Sequence, residues 1–462
     1  MVERDQNTVV VIDAGGRGSV LVDKYAQSPH VDKIIAIPGN DLMQLNTEKP
    51  VETHQKLKTT SIPEILEICK NEKVTLVDVA QDNAVQAGLV DALEQKGILA
   101  IGPTKDAGQI EWDKAWAREF GKRHGLPQPF FKICLSQEEG IEFLRHQPEQ
   151  RWFVKAAYLA EGKGALPAKD NEEAILRVKE MKKYGEAGRV FLIEKWLKGD
   201  DDFAEEFSTF IFSDGQNYQL IGSAQDHKRA NNFDEGLNTG GMGCSTPPLI
   251  LTPELMKKVE KDILNKTIAG LKAEGRPYRG VLYLGGMSIR ERDRLNPYVI
   301  EFNARWGDPE AEIILPGLVN DLFELSLAIA RGGIRGLDLQ TDGKARVVVT
   351  GASRGYPGNY EGVKGKQIYG LREAGKIDGV KIYGAGVKEK DGKYFAFGGR
   401  LFYVVGEGKT IIEARQKAYE VMAIISVEGN NLHYRTDIGW RDVERLRISR
   451  LSCGKYTEIS GS

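Results

Sequence analysis

Thr8-Val-Val-Val-Ile-Asp13 is a β-branched apolar run that stops at the glycine-rich Ala14-Gly-Gly-Arg-Gly18, and helix-compatible sequence follows. Strand, glycine turn and helix in that order open a βαβ unit. Lys33-Ile-Ile-Ala-Ile-Pro38, Val74-Thr-Leu-Val-Asp-Val79 and Gly97-Ile-Leu-Ala-Ile-Gly102 repeat the apolar run, with a helical stretch over residues 84–96. These runs are apolar throughout instead of alternating. Such strands are covered on both faces, which predicts a parallel sheet between helices over residues 1–106.

Gly102-Pro103 breaks this pattern. Residues 110–124 have helical character up to Gly125-Leu-Pro127. Strands at Trp152-Phe-Val-Lys155 and Val190-Phe-Leu-Ile-Glu194 then flank a charged helical stretch, 171–183. Residues 208–303 read as mostly strand with long polar loops. Ala345-Arg-Val-Val-Val-Thr350 opens another strand-rich segment, closed by a helix over 411–424. The residues after Arg447 are expected to form a frayed polar tail. At 462 residues the chain exceeds one ordinary core and suits roughly two to four domains. A net charge of −2 excludes a global pull toward nucleic acid or an anionic membrane. Cys69, Cys134, Cys244 and Cys453 lack zinc-like or redox-like spacing, so free thiols in a reducing compartment are expected. The start has no basic apolar leader and no run reaches membrane-span length, which leads to the expectation of a cytoplasmic protein.

Two glycine loops could hold phosphate. Gly406-Glu-Gly-Lys-Thr410 resembles the end of a Walker loop, but Tyr403 stands where that motif needs glycine. Gly15-Gly-Arg-Gly18 does not complete a dinucleotide fingerprint. Its N–H groups at a helix start, with Arg17, still suit an anion; the competing reading is the tight turn of any βαβ fold. Ala160-Glu-Gly-Lys-Gly164 follows the strand carrying Lys155 and adds Lys163, so it could close over a polyphosphate; a solvated lysine turn is the competing reading.

Tyr298-Val-Ile-Glu-Phe-Asn-Ala-Arg305 carries the most chemistry. On a strand, Glu301, Asn303 and Arg305 share one face, opposite Ile300 and Phe302. Glu301 and Asn303 offer hard oxygens to a cation such as Mg²⁺, which keeps waters and phosphate oxygens as further ligands. Arg305 could hold a γ-phosphate or acyl phosphate in bidentate fashion. An edge strand with a solvated polar face is the alternative. Gln225-Asp-His-Lys-Arg229 gathers an acid, an imidazole and two cations, and Asn238-Thr-Gly-Gly-Met-Gly243 is a glycine hinge.

Together, and in this order, these stretches resemble the phosphoribosylamine–glycine ligase family of ATP-grasp enzymes. Gly102-Pro-Thr-Lys105, Asp113-Lys-Ala-Trp-Ala117, Val154-Lys-Ala156, Trp306-Gly-Asp-Pro309, Gly355-Tyr-Pro-Gly358, Gly398-Gly-Arg400 and Tyr434-Arg-Thr-Asp-Ile-Gly-Trp440 extend the resemblance over nearly the whole chain. It implies an α/β and α+β multidomain fold. Residues 1–106 would form the N-terminal parallel α/β substrate domain. An ATP-grasp domain would cover 107–330 with a mobile lid at about 126–195, followed by a β-rich C-terminal domain over 331–445 and a polar tail over 446–462. The resemblance also implies that Lys114, Lys155 and Lys163, with Gly162 and Gly164, hold ATP phosphates. Glu194, Lys195, Trp196 and Leu197 would pass the adenine as a hinge, and Glu205 or Glu206 would take the ribose. Glu301 and Asn303 would bind Mg²⁺ or Mn²⁺. Arg305, Lys228 and Asp226 would serve the reaction. Gly15, Gly16 and Arg17 would hold a sugar phosphate, and Asp226, Asn238, Gly240, Gly241, Gly243, Arg305 and Asp308 would contact substrate. The implied partners are ATP, glycine and phosphoribosylamine, with neither nucleic acid nor membrane, and a monomer is expected.

Three segments depart from the family pattern. Gly16-Arg-Gly-Ser-Val20 replaces Gly-Arg-Glu-His-Ala, Ala80-Gln-Asp82 replaces Gly-Pro-Glu, and an acidic insert, Asp200 to Ala204, precedes Glu205. The first two lie where the amine would bind. A ligase with a changed amine acceptor, or a catalytically silent ATP-binding protein, is therefore the alternative to the family's own reaction.

Overall fold

The computed structural model describes residues 6–160 and 164–454. Its first strand, Thr8–Ile12, is buried at every position and pairs in parallel with Lys33–Ala36 and Leu76–Val79. Val9 and Val11 enter one core while Val10 and Ile12 enter another, so both sheet faces are covered, as a run without alternation requires. Ala100–Ile101 and Val51–Thr53 complete five parallel strands. Val51–Thr53 was not legible, because three partly exposed residues carry no apolar run. The predicted 84–96 helix is two helices, Asp82–Ala87 and Leu89–Gln95, separated at Gly88 by its left-handed φ of 85°.

The central sheet runs, neighbour by neighbour, through Arg294–Asn303, Arg279–Glu291, Ala204–Asp214, Tyr218–Asp226, Gly243–Thr246, Ala345–Ser353, Arg400–Gly408 and Val380–Gly384, with Leu432–His433 added beside Ala345–Ser353. It crosses the boundary placed at residue 330 without interruption, since Gly243–Thr246 pairs directly with Ala345–Ser353. One apolar core crosses the same line: Val9 and Tyr25 join Phe210, Trp306 and Tyr403. The lid segment is different. Phe131–Cys134, Phe191–Lys195, Trp152–Ala156 and Ala165–Ala168 form their own antiparallel sheet, packed on a core of Leu144, Trp152, Val154, Val178 and Phe191.

Of the tail expected over 446–462, residues 455–462 lie outside the described residues, and residues 446–454 continue a helix, Trp440–Gly454. Asp442 anchors its start, accepting from Ser245 Oγ and Leu249 N–H at 2.9 Å each. Arg445 adds an ion pair with Glu205 on the central sheet. No helix among the described residues is long and apolar enough to cross a membrane.

Gly243 is the tightest point of the continuous sheet. It has φ 143°, and a β-carbon there would lie 2.3 Å from Val348 O. Gly243→Ala is therefore expected to destabilise the chain by at least about 2 kcal/mol, read as a lowered urea midpoint. An unchanged midpoint would contradict the pairing.

Candidate active site

The side chains of the edge strand Arg294–Asn303 are set by a register shift. Pairing passes from Gly285↔Glu301 to Gly286↔Val299 and skips Ile300. Val299, instead of Ile300, therefore shares the apolar core with Phe302. Glu301 is left in the cleft with Lys228 Nζ 3.8 Å away. Burial favours a neutral Glu301, but Lys228, Lys114, Lys155 and Arg305 hold its carboxyl below the ordinary range. Lys114 opens the helix Lys114–Arg123 behind the N-cap Asp113, and burial lowers its pKa although Glu301 opposes the shift.

The other cations each have an acid partner. Lys155 Nζ lies 2.6 Å from Glu194, whose two oxygens also accept from Arg118 at 2.7 and 3.1 Å. Burial alone would raise Glu194, yet Arg118 and Lys155 hold it down to about 2. Arg305 lies 3.0 Å from Glu111 and donates to Asn303 Oδ1 at 3.1 Å. Burial pushes Glu111 up to about 7 against the pull of Arg305. Lys228 is 3.3 Å from Glu206. These two and Asp226 line a small cavity with Ser208, Tyr283 and Ile300. Burial, then the charge of Glu310, raises Asp226 well above an ordinary carboxyl.

Two loops are zipped together beneath this cluster. Thr239 donates to Lys228 O through both N–H and Oγ1, and His227 and the Met242–Gly243 backbone exchange bonds of 2.9 Å. A β-carbon at Gly241 would lie 2.4 Å from Pro309 and one at Gly240 2.9 Å from Arg400, so Asn238 to Gly243 braces Asp226 and the Asp308–Pro309 turn.

Several expected roles change. Arg17 is buried, and its guanidinium is engaged within the protein, paired with Asp13 at 2.6 Å and donating to Trp306 O at 3.0 Å. The helix start it opens meets the protein's own carboxylate, because the Arg17 backbone N–H bonds Asp308. Asp308 is further held by Arg400 at 2.9 Å and Tyr403 Oη at 2.6 Å. A β-carbon on Gly15 would lie 2.9 Å from Asp308, and one on Gly16 2.2 Å from both Glu312 and Tyr403, so side chains fill the expected phosphate cradle. Glu205 turns to Arg445 and Gln225, while Glu206, its neighbour on the strand, faces Lys228. In the hinge, Lys195 and Trp196 donate their N–H groups to Phe130 and Arg151 carbonyls, and Trp196 stacks between Phe153 and Arg151. Gly164 accepts from Ala156 N–H at 2.8 Å. Gly162 and Lys163 lie outside the described residues.

The donor set fits a hard cation. Glu301 is held ionised, and Asn303 brings an amide oxygen from the same strand, its Nδ2 buried without a partner among the described residues. Among the described residues no group of three or more His, Cys, Asp or Glu side chains could hold a metal ion. A cation here would complete its shell with phosphate oxygens and water. Sequence reasoning passed over Glu111, Arg118, Glu310 and Glu312, and gave Arg400 no role beyond its place in the Gly398-Gly-Arg400 match. Only Arg118 carried a signal: it lies four residues after Lys114, on the same helix face.

The phosphoribosylglycinamide synthetase N domain matches residues 7–111, its ATP-grasp (A) domain 112–311 and its C domain 346–441. Phosphoribosylamine–glycine ligase of Haemophilus influenzae is 37% identical over 440 residues, covering 95% of this chain and 99% of that protein. The trifunctional purine biosynthetic protein adenosine-3 of Bos taurus is 38% identical over 451 residues; the match covers 96% of this chain but 42% of the longer protein. The crystal structure of phosphoribosylamine–glycine ligase from Thermotoga maritima superposes with a TM-score of 0.75 at 30% identity, covering 94% of this chain and all of that one. A biotin carboxylase domain from Hydrogenobacter thermophilus, at 15% identity and a TM-score of 0.68, shares the fold.

Arg17→Ala separates the two roles considered for this arginine. It leaves Asp13 buried without its cation, so a loss of about 3–5 kcal/mol in stability is expected. Unchanged stability with a raised KM for a phosphorylated acceptor would restore the phosphate-binding role.

Proposed function

The chain belongs to the phosphoribosylamine–glycine ligase family, and on that premise we propose that it joins glycine to the amine of phosphoribosylamine at the expense of ATP, within purine biosynthesis. One observation carries the reading: Lys114, Lys155, Lys228 and Arg305 all act on Glu301 across one cleft. That arrangement suits a triphosphate and a hard cation together.

The glycine carboxylate oxygen attacks the γ-phosphorus, the bond to the β-phosphate oxygen breaks, and ADP leaves. The acceptor amine then attacks the carbonyl carbon of glycyl phosphate; phosphate leaves with the electron pair and the nitrogen gives up a proton. Lys114 and Lys155 neutralise the nucleotide phosphates. Arg305 steadies the transferring group, its guanidinium oriented by Glu111 and Asn303. Lys228 and Asp226 face the reacting end, where the raised proton affinity of Asp226 suits proton exchange as the amide forms. Adenine is read by the backbone around Leu197, and the ribose falls to Glu206, since Glu205 is engaged by Arg445. Mg²⁺ or Mn²⁺ on Glu301 and Asn303 would neutralise phosphate charge. In this reading the enzyme works as a monomer in the cytoplasm.

A second reading, the same ligation with another amine, rests on Asp308, which occupies the helix start where a sugar phosphate was expected. ADP release with glycine, with and without phosphoribosylamine, separates the two. Turnover that needs phosphoribosylamine supports the first, and turnover only with another amine supports the second. ATP binding without turnover would refute both. Glu301→Ala is expected to lower turnover about 10²-fold or more; near-normal activity would remove Glu301 from the cation site.

A further inference from the structure

Lys155 and Glu301 belong to different bodies. Lys155 lies on the lid sheet, which has its own core, and Glu301 lies on the edge of the central sheet. A triphosphate needs them at a set separation, so something must span the two bodies.

Arg118 does so. It is 5% exposed and uses its guanidinium in two directions. Toward the lid, Nε donates to Glu194 Oε1 at 2.7 Å and Nη2 to Oε2 at 3.1 Å, and Glu194 in turn lies 2.6 Å from Lys155 Nζ. Toward the central sheet, Nη1 donates to Val299 O at 3.1 Å and Nη2 to Ile300 O at 2.6 Å, the two carbonyls immediately before Glu301. Its own helix begins at Lys114, whose N–H bonds Ala157 O at 2.8 Å. A planar fork can serve a carboxylate and two carbonyls at once, and an ammonium cannot.

We infer that Arg118 is a positioning residue that fixes the Lys155 ammonium relative to Glu301, acting through Glu194 on one side and the edge-strand carbonyls on the other. The inference deepens the nucleotide-site reading above and rests on it.

The test is a double-mutant cycle on the full chain, reading ADP affinity by calorimetry in the presence of Mg²⁺. Arg118→Lys is expected to weaken ADP binding about tenfold. In a Lys155→Met background the same change should cost about twofold or less, because the group it acts through is gone. The KM for glycine should stay within about twofold. Glu194→Gln cuts the same relay without removing the arginine; it should behave likewise, and it takes the place of Arg118→Lys should that variant fail to fold. Equal losses in both backgrounds would make Arg118 a general support of the fold and overturn the inference, as would unchanged ADP affinity. Wild-type chain that binds no ADP would overturn the nucleotide site as well, whereas ADP binding with additive losses overturns this inference alone.

Discussion

Cations held close together in a cleft repel one another strongly, because little water screens them. Everything in this site depends on how that repulsion is met. Lys155 is matched by Glu194, Arg305 by Glu111 and Lys228 by Glu206, while Glu301 stands among them and feels all three together with Lys114. The carboxylates permit the cations to be pre-placed before a polyanion arrives. An isolated buried lysine would instead shed its proton, and the lowered pKa of Lys114, which has no acid within ion-pair reach in this arrangement of described residues, shows that tendency.

The second dependence is on the shared sheet. Because Gly243–Thr246 pairs with Ala345–Ser353, the C-terminal part is built into the body that carries Asp226 and Glu301. Asp308 marks the place where the three regions meet. It takes the Arg17 backbone N–H from the first, lies in the turn after the edge strand of the second, and pairs with Arg400 and Tyr403 of the third. Beside it, burial and then the Asp308 charge push Glu312 well above the ordinary carboxyl range. The lid sheet, by contrast, has a core of its own, and Arg118 links it to this body. A body with its own core can pivot without opening another.

Much of this was legible beforehand. Thr8–Ile12 announced a two-faced parallel sheet because no polar residue interrupts it, and the period of two along Glu301, Asn303 and Arg305 put those polar groups in one cleft. The reading slipped where one residue changed the period: the shift at Gly285–Gly286 moved Ile300 off the apolar face. It slipped again at Arg17 and Glu205, since sequence shows a charge but not the opposite charge that meets it. Asp13 is near Arg17 in the chain, but Arg445 lies 240 residues from Glu205.

What the sequence determined by itself, therefore, was the kind of chemistry and the strands that bear it, because residue type, glycine placement and side-chain period are local properties. The tertiary structure decided which ionisable groups remain available for a ligand. Asp308 met the helix start, Glu206 and not Glu205 faced Lys228, and Arg118 joined the lid sheet to the Glu301 strand, each through partners distant in sequence. Charges act through space, and the distances that set their strength exist only once the chain has folded.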